Sequence, residues 1–506
     1  MTDLLRYREE IDHIDQKIIE LLERRFDTSQ EIIRYKQRKG LPILDAGREQ
    51  QKLDAMADIC AEDKKSYIAE ILKETMAQSR RYQAEHPLRY GLLGRTLGHS
   101  HSPAIHRMLG GYEYGLFERE PEHLDAFFAQ TDWQGINVTI PYKRDVMKYC
   151  DELSDTAQRC GSVNTIVRRR DGRLYGTNTD YYGFRYIVER SGIDPAGARA
   201  LVLGSGGVSG TVVQVMKDLG ADPVIISRTG ENNYGNLELH ADAQIIINTT
   251  PVGMFPKAGE AALDICAFPR CQAIYDLIYN PLRTKLMLDA EKAGIPAFGG
   301  LPMLVAQAAA AAEEFGYPLQ LSVEDACRKL QEGLQNIVLI GMPGAGKTTT
   351  GKALAQQTGR RFLDMDNLIT QHQGKTPEEI IREDGEARFR EIETQVLEGL
   401  VRGPSASAGG LVIATGGGIV ERDENRELIR ENGQIIWLRR PLEELPTEGR
   451  PISQADGLAA ILKRREPLYE AWSDIAVDGI GPEETAARIE EGLGREESQR
   501  VLSSDV

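Results

Sequence analysis

Apolar positions change their spacing along the chain, and the changes divide it. Up to about Pro87, Ile11, Ile14, Ile18, Leu21 and Leu22 recur at helical intervals. That spacing predicts one helix from Leu4 to about Arg38, stopped by Lys39-Gly40 and Pro42. Two shorter helices are expected over about Arg48–Cys60 and Lys64–Gln83. Three helices with one very long member cannot bury such a stripe alone, so a homodimer of intertwined helices is expected. From Arg89-Tyr90-Gly91-Leu92-Leu93-Gly94 onward, strand-like runs alternate with helical stretches, which implies parallel α/β structure. This middle segment reads as two-lobed, broken at Asp194-Pro195-Ala196-Gly197, with alanine-rich helices after Gly299 returning to the first lobe. A further strand, Asn336–Ile340, opens the last segment without a flexible linker. The expected domains are therefore an all-helical 1–87, an α/β 88–325 (first lobe 88–190 plus C-terminal helices, second lobe 195–298) and an α/β 335–494. A polar tail, 495–506, is expected to be disordered.

Two glycine turns sit where strands run into helices. Ala200-Leu201-Val202-Leu203 reads as a buried strand, Gly204, Gly206 and Gly207 as a tight turn, and Val208 onward as a helix ending at Gly220. This order sets a pyrophosphate on free N–H groups at a helix N-terminus, with Gly204, Ser205, Gly206, Gly207 and Val208 as cofactor contacts. Ser209 holds the place of a third glycine, and a simple tight turn competes with the nucleotide reading. The next strand, Val224-Ile225-Ile226, ends in Ser227-Arg228-Thr229. An arginine there suits a 2′-phosphate, so Ser227, Arg228 and Thr229 point to NADP(H), against the alternative of a solvated loop arginine. The second turn, Gly341-Met342-Pro343-Gly344-Ala345-Gly346-Lys347-Thr348, fulfils the P-loop pattern between strand and helix. Gly344, Gly346, Lys347, Thr348 and Thr349 are expected on the phosphates of ATP, with Thr348 also on Mg²⁺.

Composition narrows the class. The chain has 506 residues, 41% hydrophobic and 27% charged, with a net charge of −16. That balance disfavours nucleic acid as a partner, and anionic substrates must be met by local arginine clusters. MTDLLRYREE has no apolar core of a signal peptide, and no run approaches a membrane span. The six cysteines show no C-x-x-C and no histidine at zinc spacing. Reduced thiols in a cytoplasmic enzyme are the expectation.

In the first segment, LRYREEID, LLERR, YKQRKGLPILDAGRE and SRRYQ resemble the all-helical chorismate mutase family. The bland reading of these charges is a solvated helix face. The resemblance implies rearrangement of chorismate to prephenate without a covalent intermediate, by holding one conformer and stabilising developing charge. It places Arg25 and Arg48 on the two carboxylates, with Arg8 reaching in from a second copy. Lys36 and Gln83 would donate to the breaking ether oxygen, Glu49 would accept the ring hydroxyl, and Asp45 and Ser79 would support the pocket. The same residues also fit a module that senses chorismate or prephenate and dimerises the chain, leaving a bifunctional enzyme.

In the middle segment the polar motifs are GHSHSP (98–103), GINVTIPYK (135–143), GSVNT (161–165) and GTNTD (176–180). With NTTPVGM (248–254), YDLIY (275–279) and LPMLVAQ (301–307), they resemble shikimate dehydrogenase. The resemblance implies NADPH-dependent reduction of 3-dehydroshikimate. It places Ser100, Ser102 and Tyr279 on the substrate carboxylate, Asn164, Thr139 and Gln307 on hydroxyls, and Lys143 with Asp180 as the catalytic pair. Members of that family often carry a second basic residue shortly after the position of Arg228. Here the chain reads Gly230-Glu231-Asn232-Asn233, which leaves NAD use open. A preference for quinate is a separate alternative for this segment.

In the last segment FLDMD (362–366), EARFREIE (386–393), TGGG (415–418), GRP (449–451) and REPLY (465–469) resemble shikimate kinase. Its substrates would be ATP and shikimate. The resemblance places Arg390 and Arg465 on the shikimate carboxylate and Glu393 on Arg390. Asp366 would bind the attacking hydroxyl, Gly417 and Gly418 would contact substrate, and Asp364 would hold Mg²⁺ beside Thr348. Arg450 would belong to a short lid over ATP, from about Glu443 to Gln454. A surface position in the Lys463-Arg464-Arg465 run is the bland reading of Arg465.

Overall fold

The apolar stripe of the first segment lies on a single helix, Thr2–Lys39, in a computed structural model that describes residues 2–39, 51–55, 59–85, 89–98, 100–402, 409–445 and 457–503. A turn, Glu62–Lys64, leads into a second helix, Lys65–Glu85. Residues 51–55 are helical, and the rest of the expected middle helix is divided between residues 59–60 and positions outside the described residues. Leu4, Ile11, Ile14, Ile18 and Leu21 are 48–63% exposed, so the chain leaves much of its own stripe uncovered.

Two compact units form, Met1–Thr179 with Ala308–Leu321, and Asp180–Gln307 with Ser322–Val506. The first holds a sheet of β1 (Tyr90–Gly94), β2 (Gly115–Glu118), β3 (Gly135–Val138), β4 (Glu152–Leu153), β5 (Thr165–Arg168) and β6 (Leu174–Thr177). Their order is β2-β1-β3-β5-β6-β4. The sheet is mixed: β1 pairs β2 and β3 in parallel, as expected, and β4 pairs β6 in parallel, but β5 runs antiparallel to both β3 and β6. The turn that joins β5 to β6, closed by Arg169 N–H to the Arg173 carbonyl at 2.8 Å, is too short for a crossover helix. Both faces of this sheet are covered. Leu93, Ile136 and Ile166 pack with Phe127 and Trp133, while Tyr90 and Leu92 pack with Ala311 and Ala312 from the alanine-rich helix Leu301–Glu314 and with Phe315 just beyond it.

The second unit contains two parallel sheets. One consists of β7 (Arg199–Leu203), β8 (Asp222–Ile226), β9 (Ile245–Asn248), β10 (Ala273–Asp276) and β11 (Ala297–Gly299), in the order β11-β10-β9-β7-β8. The other consists of β12 (Asn336–Ile340), β13 (Arg361–Asp364), β14 (Leu411–Ala414), β15 (Gly433–Arg439) and β16 (Ile475–Asp478), in the order β13-β14-β12-β15-β16. β12 and β14 are buried at every residue, as central strands of a sheet covered on both faces must be. Only Gln335 separates the helix Val323–Leu334 from β12. The Arg360 guanidinium donates to the carbonyls of Glu332, at 2.6 Å, and Gln335, which satisfies one orphan acceptor of that helix end and the carbonyl just beyond it.

A polar seam joins the two sheets' surroundings. Leu282 N–H donates to Asn432 Oδ1 at 2.7 Å, and Arg283 N–H to the Glu431 carbonyl at 2.9 Å. The Arg283 guanidinium donates to the Gly433 carbonyl at 3.1 Å, and Lys285 and Lys292 both face Glu427. The last helix, Pro482–Ser503, continues through residues 495–503, where disorder was the expectation from polarity alone. Its Glu, Gln and Arg residues are good helix formers. Among the described residues no helix is long and apolar enough to cross a membrane.

Candidate active sites

The P-loop is shaped by its glycines. Gly341, Gly344 and Gly346 have φ of +141°, +87° and +94°, conformations that side chains resist. The turn delivers Lys347 to the first position of the helix Lys347–Thr358, where it is buried. Its ammonium donates to the carbonyls of Gly341 at 2.8 Å and Met342 at 3.0 Å. Thr348 donates its hydroxyl to Asp364 Oδ2 at 2.7 Å, while Asp364 Oδ1 caps the helix Met365–Gln373. A cavity of about 370 Å³ opens beside the loop, and its lining includes Lys347, Thr348, Asp364, Asp366, Arg390 and Arg465.

Arg390 and Glu393 lie one turn apart on the helix Glu386–Arg402. Arg390 Nη1 donates to Glu393 Oε2 at 2.8 Å. Burial raises the Glu393 carboxyl above its ordinary range, against the attraction of Arg390. Arg465 is 2% exposed, which rules out the surface reading. The glycine turn after β14 is small for steric reasons. A Cβ on Gly416 would strike Glu393, one on Gly417 would strike Pro343, and one on Gly418 would strike the Arg390 guanidinium. Thr349 donates to the Gly346 carbonyl at 2.9 Å. Arg450 lies outside the described residues.

The middle-segment candidates are divided between the two units. Ser100, Ser102, Thr139, Lys143 and Asn164 belong to the first; Asp180, Tyr279 and Gln307 belong to the second. In the first, Ser100 Oγ accepts from Ser102 N–H at 3.2 Å, just where the helix Ser102–Gly110 begins. Asn164 is buried, and its Oδ1 accepts from Thr179 N–H at 2.6 Å. Val163 N–H donates to the Lys143 carbonyl at 2.8 Å, which fixes the backbone under that lysine. Thr139 continues the edge of β3, bonded through its N–H to the Leu93 carbonyl at 2.9 Å. In the second unit, Asp180 sits in the first turn of the helix Thr179–Arg190. Burial raises the Tyr279 hydroxyl, and the Gln307 amide donates to the Leu304 carbonyl at 2.8 Å.

The glycine turn after β7 packs tightly on one side and opens on the other. Gly204, at φ +102°, lies against Thr249 and Thr250, whereas a Cβ on Gly206 would meet open space. Ser205 and Gly207 complete this turn, and Val208 caps the helix Ser209–Asp218. Ser209, in the third glycine's place, is buried and shares a 2.8 Å hydrogen bond with Thr249. Arg228 and Thr229 are exposed just beyond β8, and the Ser227 hydroxyl donates to the Thr229 carbonyl.

In the helical segment, Arg25 Nη1 donates to Ser79 Oγ and, at 3.0 Å, to the Thr75 carbonyl. The structure thus joins two expected site residues from separate helices. Arg8 is exposed on the same helix as Arg25, about 25 Å away along its axis. Lys36 and Gln83 lie on described helices, but their side chains do not belong to the described part, and Asp45, Arg48 and Glu49 lie wholly outside it.

The shikimate dehydrogenase (NADP(+)) of Clostridium beijerinckii is 37% identical to this chain over 270 residues, covering 49% of the chain and 97% of that protein. The chain belongs to the shikimate dehydrogenase family. A second shikimate dehydrogenase (NADP(+)), from Symbiobacterium thermophilum, is 36% identical over 256 residues, covering 44% of the chain and 87% of that protein. The model of the shikimate dehydrogenase substrate binding domain matches residues 92–166. On either side, the model of chorismate mutase type II matches 7–84, and that of shikimate kinase matches 343–493. Among solved structures, a chorismate mutase/shikimate 5-dehydrogenase fusion protein from Clostridium acetobutylicum is 36% identical, covers 48% of this chain and 97% of its own, and has a TM-score of 0.44. Mutase, shikimate dehydrogenase and shikimate kinase models thus match the chain in succession.

Sequence reasoning missed three residues that hold the lining of the P-loop cavity. Glu386 accepts from Arg390 at 3.0 Å, Glu421 accepts from both Arg390 and Arg465, and Tyr469 donates to the Gly417 carbonyl. Glu386 and Tyr469 fall within motifs already singled out, EARFREIE and REPLY. Glu421 follows the glycine turn by three residues, with no spacing rule to mark it.

Proposed function

We propose that this chain converts chorismate to prephenate, reduces 3-dehydroshikimate with NADPH, and phosphorylates shikimate with ATP, each at a separate site. The observation that carries the reading is the kinase cavity, where a buried arginine pair shares one space with a P-loop lysine. Arg390 and Arg465 hold the substrate carboxylate, which fixes the ring. Asp366 faces the attacking hydroxyl and takes its proton. Lys347, which already donates to two backbone carbonyls of the loop, turns its ammonium to the phosphates.

The Thr348 hydroxyl and Asp364 carboxylate present adjacent oxygen donors, the ligand type that Mg²⁺ takes. Bound there, Mg²⁺ supplies positive charge to the phosphate oxygens. Arg450 serves the lid over ATP. In the dehydrogenase, the turn 204–208 receives the pyrophosphate of NADPH and Arg228 its 2′-phosphate, while Lys143 donates to the ketone oxygen and Asp180 orients it. Ser100, Ser102 and Tyr279 bind the acid group of that substrate, and Thr139, Asn164 and Gln307 its hydroxyls. The reaction sequence belongs to the cytoplasm.

The mutase site is completed by a second copy of the chain. Arg8 and Arg25 are too far apart on one straight helix to grip one small ligand, and the exposed apolar stripe supplies the contact surface. Arg25 and Arg48, with Arg8 of the second copy, bind the carboxylates. Lys36 and Gln83 donate to the ether oxygen, Glu49 accepts the ring hydroxyl, and Asp45 and Ser79 support the pocket. The test is prephenate formation by the purified full-length chain. Arg25→Ala is expected to lower it by about two orders of magnitude or more while leaving dehydrogenase and kinase rates unchanged. Chorismate binding without turnover would refute the mutase reading and make this domain a sensor.

A further inference from the structure

The clamp that the kinase uses for its substrate's acid group already carries a carboxylate of the protein. Arg390 Nη2 donates to Glu421 Oε2 at 3.1 Å, and Arg465 Nη2 donates to the same oxygen at 2.8 Å. One oxygen therefore bridges two guanidinium groups, which is the geometry a bound carboxylate would seek. Arg390 is also paired with Glu386 and Glu393, so the two clamp arginines face three carboxyl groups. An incoming anion meets a clamp that already has carboxyl partners. The Nε atoms of both arginines are buried without a hydrogen-bond partner among the described residues, so neither guanidinium is fully satisfied by Glu421.

Glu421 is placed to leave. It ends the short turn Ile419–Glu421, where its N–H is tied to the Gly418 carbonyl at 3.0 Å, so the backbone is fixed while the side chain, among the described residues, is bound through the arginines. Its other oxygen, Oε1, already contacts Arg464 at 2.9 Å, and Arg464 is half exposed. A rotation of the side chain toward Arg464 keeps an ionic partner for Glu421 and frees the inner guanidinium groups. Burial alone would raise the Glu421 carboxyl, but Arg465, Arg390 and Arg464 hold it below the ordinary range.

We propose that Glu421 is a resident counter-carboxylate for the Arg390–Arg465 clamp, displaced onto Arg464 when the substrate's own carboxylate binds. This rests on the clamp reading above and adds to it a specificity device. A ligand that brings a carboxylate replaces Glu421 without stranding two buried cations. A neutral ligand cannot, because removing one partner of a buried ion pair is strongly unfavourable.

The experiment measures shikimate and ATP kinetics of the full-length chain carrying Glu421→Gln or Glu421→Ala, with Arg465→Met alongside. Removing the competing charge is expected to lower the KM for shikimate by about three- to tenfold in both variants, the size of one charge-assisted hydrogen bond exchanged for a weaker one. The kcat and the KM for ATP should stay within about twofold, and the dehydrogenase rate of the same samples reports that the chain is folded. A shikimate KM that is unchanged or raised would overturn the proposal, since Glu421 would then be inert or would orient the arginines. Arg465→Met separates the two levels of the argument. A raised shikimate KM there keeps the clamp whatever Glu421 does, and an unchanged one removes the clamp reading and the proposal with it.

Discussion

Replacing Gly418 with alanine adds one methyl group and isolates one contact. The backbone at Gly418 has φ −101° and ψ +9°, which alanine adopts freely, so no strain arises from the main chain. The added Cβ, however, would lie well inside 3 Å of three atoms of the Arg390 guanidinium. That group is 8% exposed and pinned by Glu386, Glu393 and Glu421, so it cannot retreat without breaking at least one charge-assisted hydrogen bond. If Arg390 binds the shikimate carboxylate as proposed, moving it away removes an interaction of about 1.5–3 kcal/mol. The KM for shikimate should rise about 10- to 150-fold at 25 °C. Overpacking adds a destabilisation of about 1–3 kcal/mol, which the domain should survive. The P-loop is untouched, so the KM for ATP should hold, and so should the dehydrogenase rate. Initial kinase rates across both substrate concentrations give these values. A variant whose shikimate KM stays within twofold of wild type would refute the idea that Arg390 must occupy its present position to bind substrate.

Other consequences follow from the same structure. Lys347→Met removes the buried ammonium of the P-loop and should lower the phosphorylation rate by at least about 100-fold, with reduction of 3-dehydroshikimate unaffected, in parallel assays of one preparation. The Asp276 carboxyl is buried and pushed up to about 6 by desolvation, partly opposed by hydrogen bonds from Thr284, the Ile278 N–H and Asn248. Its unfolded value lies near 4, so between those pH values the folded chain holds a proton that the unfolded chain has lost. Its contribution to stability is fully present below about pH 4 and is lost as pH rises through about 6, a change of about 3 kcal/mol. In denaturant titrations the stability difference between wild type and Asp276→Asn should shift by that amount over this range; a pH-independent difference would contradict it.

Much of the architecture was legible because its signals are local. A P-loop is eight consecutive residues whose glycines must accept positive φ, and a fully buried parallel strand is one unbroken apolar run, so Gly341–Thr348 and β12 identify themselves. The long helix is equally local, since its periodicity needs no partner to be seen. The antiparallel pairing of β5 with β3 was not legible, because strand direction depends on which strands meet and a short apolar run carries no arrow. The sequence by itself determined which chemical groups each domain possesses and roughly where along the chain they lie. Only the tertiary structure decided that Arg465, in a basic run whose bland reading is a surface, is buried. It also decided that Glu421, 44 residues before it, supplies that arginine's carboxylate. Burial and ion pairing are set by the packing of segments distant in sequence, and no local pattern encodes which charge will face which.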